Sequence, residues 1–154
     1  MSTRKILILM RHAKPASDAG VEDFFIPLSK EGAKAQKKLC EKLLGEGFIP
    51  KKVFTSPFQR ALETGDIVAS YFQVECIVEK ALGEPFNEEV CLKLLQSSED
   101  VVAFIGHGPS LTALANTLLG KRLFKDILLK SSAALIAFEG EIKKGSGALL
   151  KYFF

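Results

Sequence analysis

Residues 5–15 read KILILMRHAKP. Five apolar residues in a row, at 6–10, are too few for a helix, and they lack the alternation of a half-solvated strand. A short continuous apolar run of this kind reads as a strand covered on both faces, the signature of a parallel sheet clad by helices. The strand is expected over 4–10. The next residues, Arg11-His12-Ala13-Lys14-Pro15, have loop chemistry, so an arginine and a histidine are delivered to one end of a buried strand.

The same arrangement recurs twice. VVAFIGHGPSL (101–111) ends an apolar run on Gly106-His107-Gly108 and opens a helix near Pro109. VFTSPFQRALET (53–64) ends a short strand over 52–55 and opens a helix that carries Arg60. Ser56 and Gln59 have capping-box spacing and Pro57 suits a first helical position, so that helix is expected to begin at Pro57, with Arg60 in its first turn. The chain holds only two histidines and four arginines. Both histidines and two of the arginines fall in these corners.

The remaining segments alternate in the same way. Ser29 is a fitting N-cap for a helix over 30–45 that turns Ala35, Leu39, Cys40, Leu43 and Leu44 inward, with Gly45 and Gly47 as the stop. A third strand is expected over 74–78 and a loop over 81–87. A helix over 88–97 directs Val90, Cys91, Leu94 and Leu95 inward. Strands over 133–139 and 148–153 are joined by GEIKKGSG as a hairpin. Strands alternating with helices, closed by a strand pair, predict an α/β fold: a three-layer α/β/α sandwich around a mostly parallel sheet. Ligands bind such sheets beyond the carboxyl ends of the strands, where Arg11-His12, Arg60 and Gly106-His107 all fall.

The bulk numbers set limits. The 154 residues fit one domain over 1–154, and 47% hydrophobic with 25% charged residues is ordinary for a soluble globular chain. A net charge of +3, with lysines spread among glutamates, does not point to nucleic acid. No apolar run is long enough to span a membrane and no secretory leader is evident, so a cytoplasmic protein is expected. Cys40, Cys76 and Cys91 show no CxxC spacing and read as small apolar residues in a reducing compartment. No leftover interaction stripe is visible, so a monomer is expected.

Arginine forks match phosphate oxygens, and helix starts attract anions. Two histidines and two arginines at one sheet edge therefore point to phosphoryl chemistry, in which one histidine attacks phosphorus and the other donates hydrogen bonds. A metal centre would need a third ligand that the spacing does not supply, and the arginines would repel a cation. No metal and no cofactor are expected.

LMRHAK (9–14), SPFQRALET (56–64) and GHGPSL (106–111), in that order, together with the helix start PLSKEGAKAQ (27–36), resemble the motifs of the histidine phosphatase superfamily. The short chain and its RHA-type start look most like the SixA-type phosphohistidine phosphatases. The resemblance implies a phosphoglycerate mutase-like fold, His12 as the nucleophile, and Arg11, Arg60 and His107 as the phosphate pocket. Larger members take an acid from the loop after the third strand. Glu84, in LGEPFNEE, is the nearest candidate, Asp18 a weaker one, and Glu88 and Glu89 read as first-turn helix charges. The fuller acid-loop pattern is absent. A phosphoramidate has the better leaving group, so a phosphohistidine on a protein, such as a phosphorelay carrier domain, is the expected substrate. A small phosphate ester, or a phospho-ligand binding module without turnover, are the alternatives.

Overall fold

A computed structural model describes residues 4–17 and 20–154. Six strands form one sheet: β1 (Arg4–Arg11), β2 (Lys52–Thr55), β3 (Glu75–Val78), β4 (Val101–Gly106), β5 (Ala133–Glu139) and β6 (Gly147–Phe153). Four helices cover it: α1 (Lys30–Gly45), α2 (Gln59–Phe72), α3 (Glu88–Ser97) and α4 (Gly108–Leu119). The strand order is β3-β2-β4-β1-β5-β6. Strands β3, β2, β4 and β1 run parallel, and β5 and β6 add an antiparallel edge. This is the expected mostly parallel three-layer sandwich.

The apolar run of β1 occupies the middle of the sheet, and Leu7, Ile8, Leu9 and Met10 have no solvent exposure. Alternate side chains feed two cores. Leu7 and Leu9 pack with Leu82, Cys91, Leu95, Leu111 and Leu114 beneath α3 and α4. Ile8 and Met10 pack with Leu39, Cys40, Leu43, Ala61 and Val68 beneath α1 and α2. A strand covered by helices on both faces has no polar side to show, which is why its sequence does not alternate.

Helix α1 starts where its cap predicts. Ser29 Oγ accepts the Gly32 N–H at 2.9 Å and donates to the Lys14 carbonyl at 2.9 Å, so the cap also ties down the loop that leaves β1. The inward stripe differs from the expected one. It runs Gly32, Gln36, Leu39, Cys40, Leu43, while Ala35 and Leu44 flank it and are exposed. Position 32 must be small, because the Lys14 backbone crosses the helix there and a β-carbon would strike its carbonyl oxygen. The buried Gln36 amide reaches Met10 Sδ at 3.7 Å. In α3, Asn87 caps the Val90 N–H at 3.1 Å, and only Cys91 and Leu95 are fully buried. Val90, expected inward, is exposed and lines a surface groove.

Helix α2 begins two residues later than its sequence suggests, at Gln59 rather than Pro57. Gln59 does not reach back to close a capping box; its amide donates to Glu63 at 2.6 Å, one turn ahead. Ser56, the expected cap, is engaged instead with His107 across the sheet edge.

Replacing Gly32 with Ala should force α1 away from the Lys14 backbone and destabilise the fold by about 1–3 kcal/mol, an overpacking cost, read as a lower urea midpoint at unchanged slope. The same substitution at exposed Gly45, whose surroundings are open, should leave the midpoint almost unchanged.

Candidate active site

The three parallel strands β1, β4 and β2 end level with one another. Arg11 pairs with Gly106 across β1 and β4, and Thr55 pairs with Ile105 across β2 and β4. The ladder runs one residue further on each side, with His12 N–H donating to Gly106 O at 3.0 Å and Ser56 N–H to Ile105 O at 2.9 Å. His12, His107 and Ser56 are thereby brought together at the carboxyl edge. The two imidazoles lie edge to face with centroids 5.4 Å apart, and both are buried, with 5% and 6% exposure.

His12 is held by its own loop. Its Nδ1 lies 2.8 Å from the Ala13 carbonyl. A carbonyl only accepts, so the proton is on Nδ1 and the lone pair on Nε2 is left free. The Ala13 N–H donates to Thr64 Oγ1 at 3.1 Å, and Thr64 Oγ1 donates to the Arg60 carbonyl at 2.7 Å. One threonine thus links the His12 loop to the first turn of α2.

His107 stands at the N-cap of α4, and its Nε2 lies 2.8 Å from Ser56 Oγ. Ser56 Oγ also accepts the Phe58 N–H at 3.2 Å. Ser56 thus does two things at once, meeting His107 across the site and taking the Phe58 N–H ahead of the first turn of α2. The Phe58 ring packs against His107 at 4.8 Å and beneath the Arg60 guanidinium at 5.1 Å.

Arg11 donates from Nη1 to the Leu128 carbonyl at 2.9 Å, while its Nε is buried and has no partner. A buried, charged N–H without an acceptor is costly unless a ligand supplies one. Burial lowers the Arg11 pKa from its usual value, opposed by Tyr152 and aided by Arg60. Gly108 is glycine for this reason: a β-carbon there would come within 3.0 Å of Arg11 Nε and strike the Ile127 side chain. Arg60 is held by Asp23, in a short 3-10 turn at Asp23–Phe25. Its Nη1 donates to the Asp23 carbonyl at 2.8 Å and to Oδ1 at 3.2 Å, and its Nη2 donates to Oδ2 at 3.3 Å.

Glu84 is exposed and sits outside this network. It lines a groove of about 570 Å³ that opens beside the pocket, with Phe24, Pro57, Glu79, Ala81 and Val90 among its walls. Glu88 and Glu89 occupy the first turn of α3, as their positions suggest. Asp18 lies outside the described residues. Ser56, Thr64 and Asp23 are the site residues that motif reasoning missed. Ser56 and Thr64 fall inside the quoted SPFQRALET stretch; Asp23 has no local signal.

The family profile for the histidine phosphatase superfamily (branch 1) matches residues 7–90. The chain belongs to that superfamily, a class of phosphatases built around a histidine nucleophile. Among solved structures it is similar to a SixA protein histidine phosphatase complexed with tungstate, at 22% identity over 96% of both chains and a TM-score of 0.84. It is also similar to a SixA from Agrobacterium tumefaciens, at 18% identity over 97% of both chains and a TM-score of 0.83. A phosphoserine phosphatase mutant from Entamoeba histolytica aligns at 14% identity over 97% of this chain and 96% of that one, with a TM-score of 0.74. At these identities the likeness establishes the fold. Among curated proteins, 67 residues are 34% identical to the transcription factor tau 55 kDa subunit of Saccharomyces cerevisiae, covering 44% of this chain and 15% of that protein. The chain thus spans a small part of that relative's length. No helix among the described residues is long and apolar enough to cross a membrane.

Burial lowers the pKa of both histidines from 6.5 to about 4; at His12 the neighbouring His107, Arg60 and Arg11 add to it, and at His107 Arg60 and Arg11 do, against Asp23. Both rings are therefore neutral at pH 7. The unfolded chain binds protons near pH 6.5 and the folded chain near pH 4, so the unfolded state holds more protons between these values and stability falls as pH drops through that window. NMR titration of the two imidazoles should give midpoints well below 6.5, and His12→Gln should flatten part of the stability loss between pH 6.5 and 4.

Proposed function

We propose that this chain is a metal-independent phosphatase that forms a phosphohistidine intermediate on His12, and that its substrate is a phosphohistidine carried by another protein. The whole chain is read as one catalytic domain, since both cores share one sheet. One observation carries the reading: a neutral His12 with its Nε2 lone pair free lies beside a buried guanidinium whose Nε has no partner.

The chemistry follows from those atoms. Nε2 of His12 attacks phosphorus, the bond from phosphorus to the substrate nitrogen breaks, and the departing imidazole takes a proton from solvent, which the later attack by water gives back. Water then attacks the phosphohistidine, releasing inorganic phosphate and returning neutral His12. Arg11 and Arg60 neutralise the phosphoryl oxygens, which is most of what phosphoryl transfer requires. If the Ser56 hydroxyl donates to His107 Nε2, the ring proton sits on Nδ1, a donor for a phosphoryl oxygen. None of these steps calls for a cation, which the two guanidiniums would disfavour.

The protein substrate is favoured by the surroundings. The pocket adjoins an open groove with Phe24, Pro57, Ala81, Pro85 and Val90 in its walls, which suits a side chain presented by a folded partner. Glu84, in the same groove wall, is the carboxylate available to an oxygen leaving group, whereas an imidazole leaves without a strong acid. The cysteines are all free, in keeping with a reducing, cytoplasmic setting.

Metal-free hydrolysis of a phosphohistidine-bearing protein should exceed that of para-nitrophenyl phosphate; the reverse preference would move the assignment to a small phosphate ester. His12→Ala should abolish both activities, and residual turnover on either would remove His12 as nucleophile. Arg60→Ala should weaken orthovanadate binding by about 2–5 kcal/mol, the range for breaking a buried charge pair. Glu84→Gln should slow the aryl ester more than the phosphohistidine, and equal effects would deny it the acid role.

A further inference from the structure

We infer that Asp23 is a positioning residue for the phosphate site, holding the Arg60 guanidinium by its far edge so that the near edge meets the phosphoryl group. The inference rests on the reading of Arg60 as a phosphate ligand.

A guanidinium has five N–H donors arranged on two usable edges. One edge is formed by Nη1 and Nη2, the other by Nε and the second Nη2 hydrogen. Asp23 takes the first edge: Oδ1 and the backbone carbonyl accept from Nη1, and Oδ2 accepts from Nη2. The second edge keeps both of its N–H groups, the spacing that matches two oxygens of a phosphate. The Phe58 ring beneath the guanidinium, at 5.1 Å, fixes its plane. Carboxylate and aromatic ring together leave a long, flexible side chain one orientation.

A purely stabilising ion pair is the bland alternative. The Asp23 side chain is 71% exposed against 13% for Arg60. Pairs with a solvated partner contribute little to stability, so the value of the contact lies in what it does to Arg60. Asp23 is also fixed relative to the helix it serves. Residues 14–16 pair with 27–29 to close the loop, through Ala16 N–H to Pro27 O at 2.8 Å and Ser29 N–H to Lys14 O at 3.0 Å. The Leu28 N–H then donates to Glu63 Oε1 at 3.1 Å, so the loop carrying Asp23 is fastened to α2, one turn beyond Arg60.

The test is orthovanadate affinity and para-nitrophenyl phosphate kinetics for Asp23→Ala, Asp23→Asn, Arg60→Ala and the Asp23→Ala/Arg60→Ala pair. Asp23→Ala should weaken vanadate about tenfold, Asp23→Asn less because it keeps one acceptor, and Asp23→Ala should weaken it no further once Arg60 is gone, the non-additivity expected of two groups acting through one contact. The chain has four arginines, so the Arg60 Nε–H can be followed by NMR. It should be sharp in the parent protein and broadened in Asp23→Ala, while the melting temperature barely moves. Additive losses, an unchanged Arg60 signal, or tighter vanadate binding in Asp23→Ala would overturn the positioning role, the last by making Asp23 a competitor for the guanidinium. If Arg60→Ala left vanadate binding intact, the phosphate-ligand reading of Arg60 would fall, and this inference with it. If Arg60→Ala weakens binding and Asp23→Ala does not, only the positioning role fails.

Discussion

The level at which β1 meets β4 sets what comes together at the carboxyl edge of the sheet. Slipping a strand by one residue turns every side chain to the opposite face. In most sheets the in-out alternation of apolar residues forbids that slip, but Leu7 to Met10 are apolar throughout and buried on both sides, so alternation places no constraint. The ends of the strand supply it instead. Ile6 N–H meets the Asp100 carbonyl at 2.8 Å at one end, and His12 N–H meets the Gly106 carbonyl at 3.0 Å at the other. Gly106 lies opposite Arg11, with no side chain to contest the space.

From that register follows the electrostatic character of the pocket. Two imidazoles and two guanidiniums share one desolvated edge. Four cations in such a space would be untenable, and the histidines relieve the repulsion by staying neutral. Neutrality is also what a nucleophilic nitrogen requires. The charge that remains is on the arginines, one with an unpartnered buried N–H and the other balanced by Asp23. The proposed phosphate site rests on that one buried N–H left without an acceptor.

Local signals and tertiary demands compete openly at Ser56. By spacing, Ser56 and Gln59 are a capping box, and an isolated peptide would be expected to use them so. In the folded chain Ser56 faces His107, fifty-one residues away, and the helix starts later. Gly108 is a similar case: nothing near it in the sequence says that a β-carbon there would strike Ile127 and crowd Arg11.

Much of the fold was legible because its signals are local and periodic. Apolar runs of strand length, the Ser29 cap and the glycine stops after α1 depend on neighbours within a few residues, so the elements and their alternation could be read directly. Arg11, His12 and His107 could be placed because each lies where such a run ends, and Arg60 because it opens the helix after β2; a parallel sheet collects those positions at one edge. Which helix face turns inward at Ala35 and Val90, which serine holds His107, and which carboxylate reaches Arg60 depend on surfaces meeting across long stretches of chain. Asp23 and Arg60 are thirty-seven residues apart, with α1 and β2 between them, and Asp23 itself sits in a loop without periodicity. The sequence alone determined the layers and the residues at their edge; only the packing of loop against helix decided their hydrogen-bond partners, because a side-chain contact carries no signal until both backbones are in place.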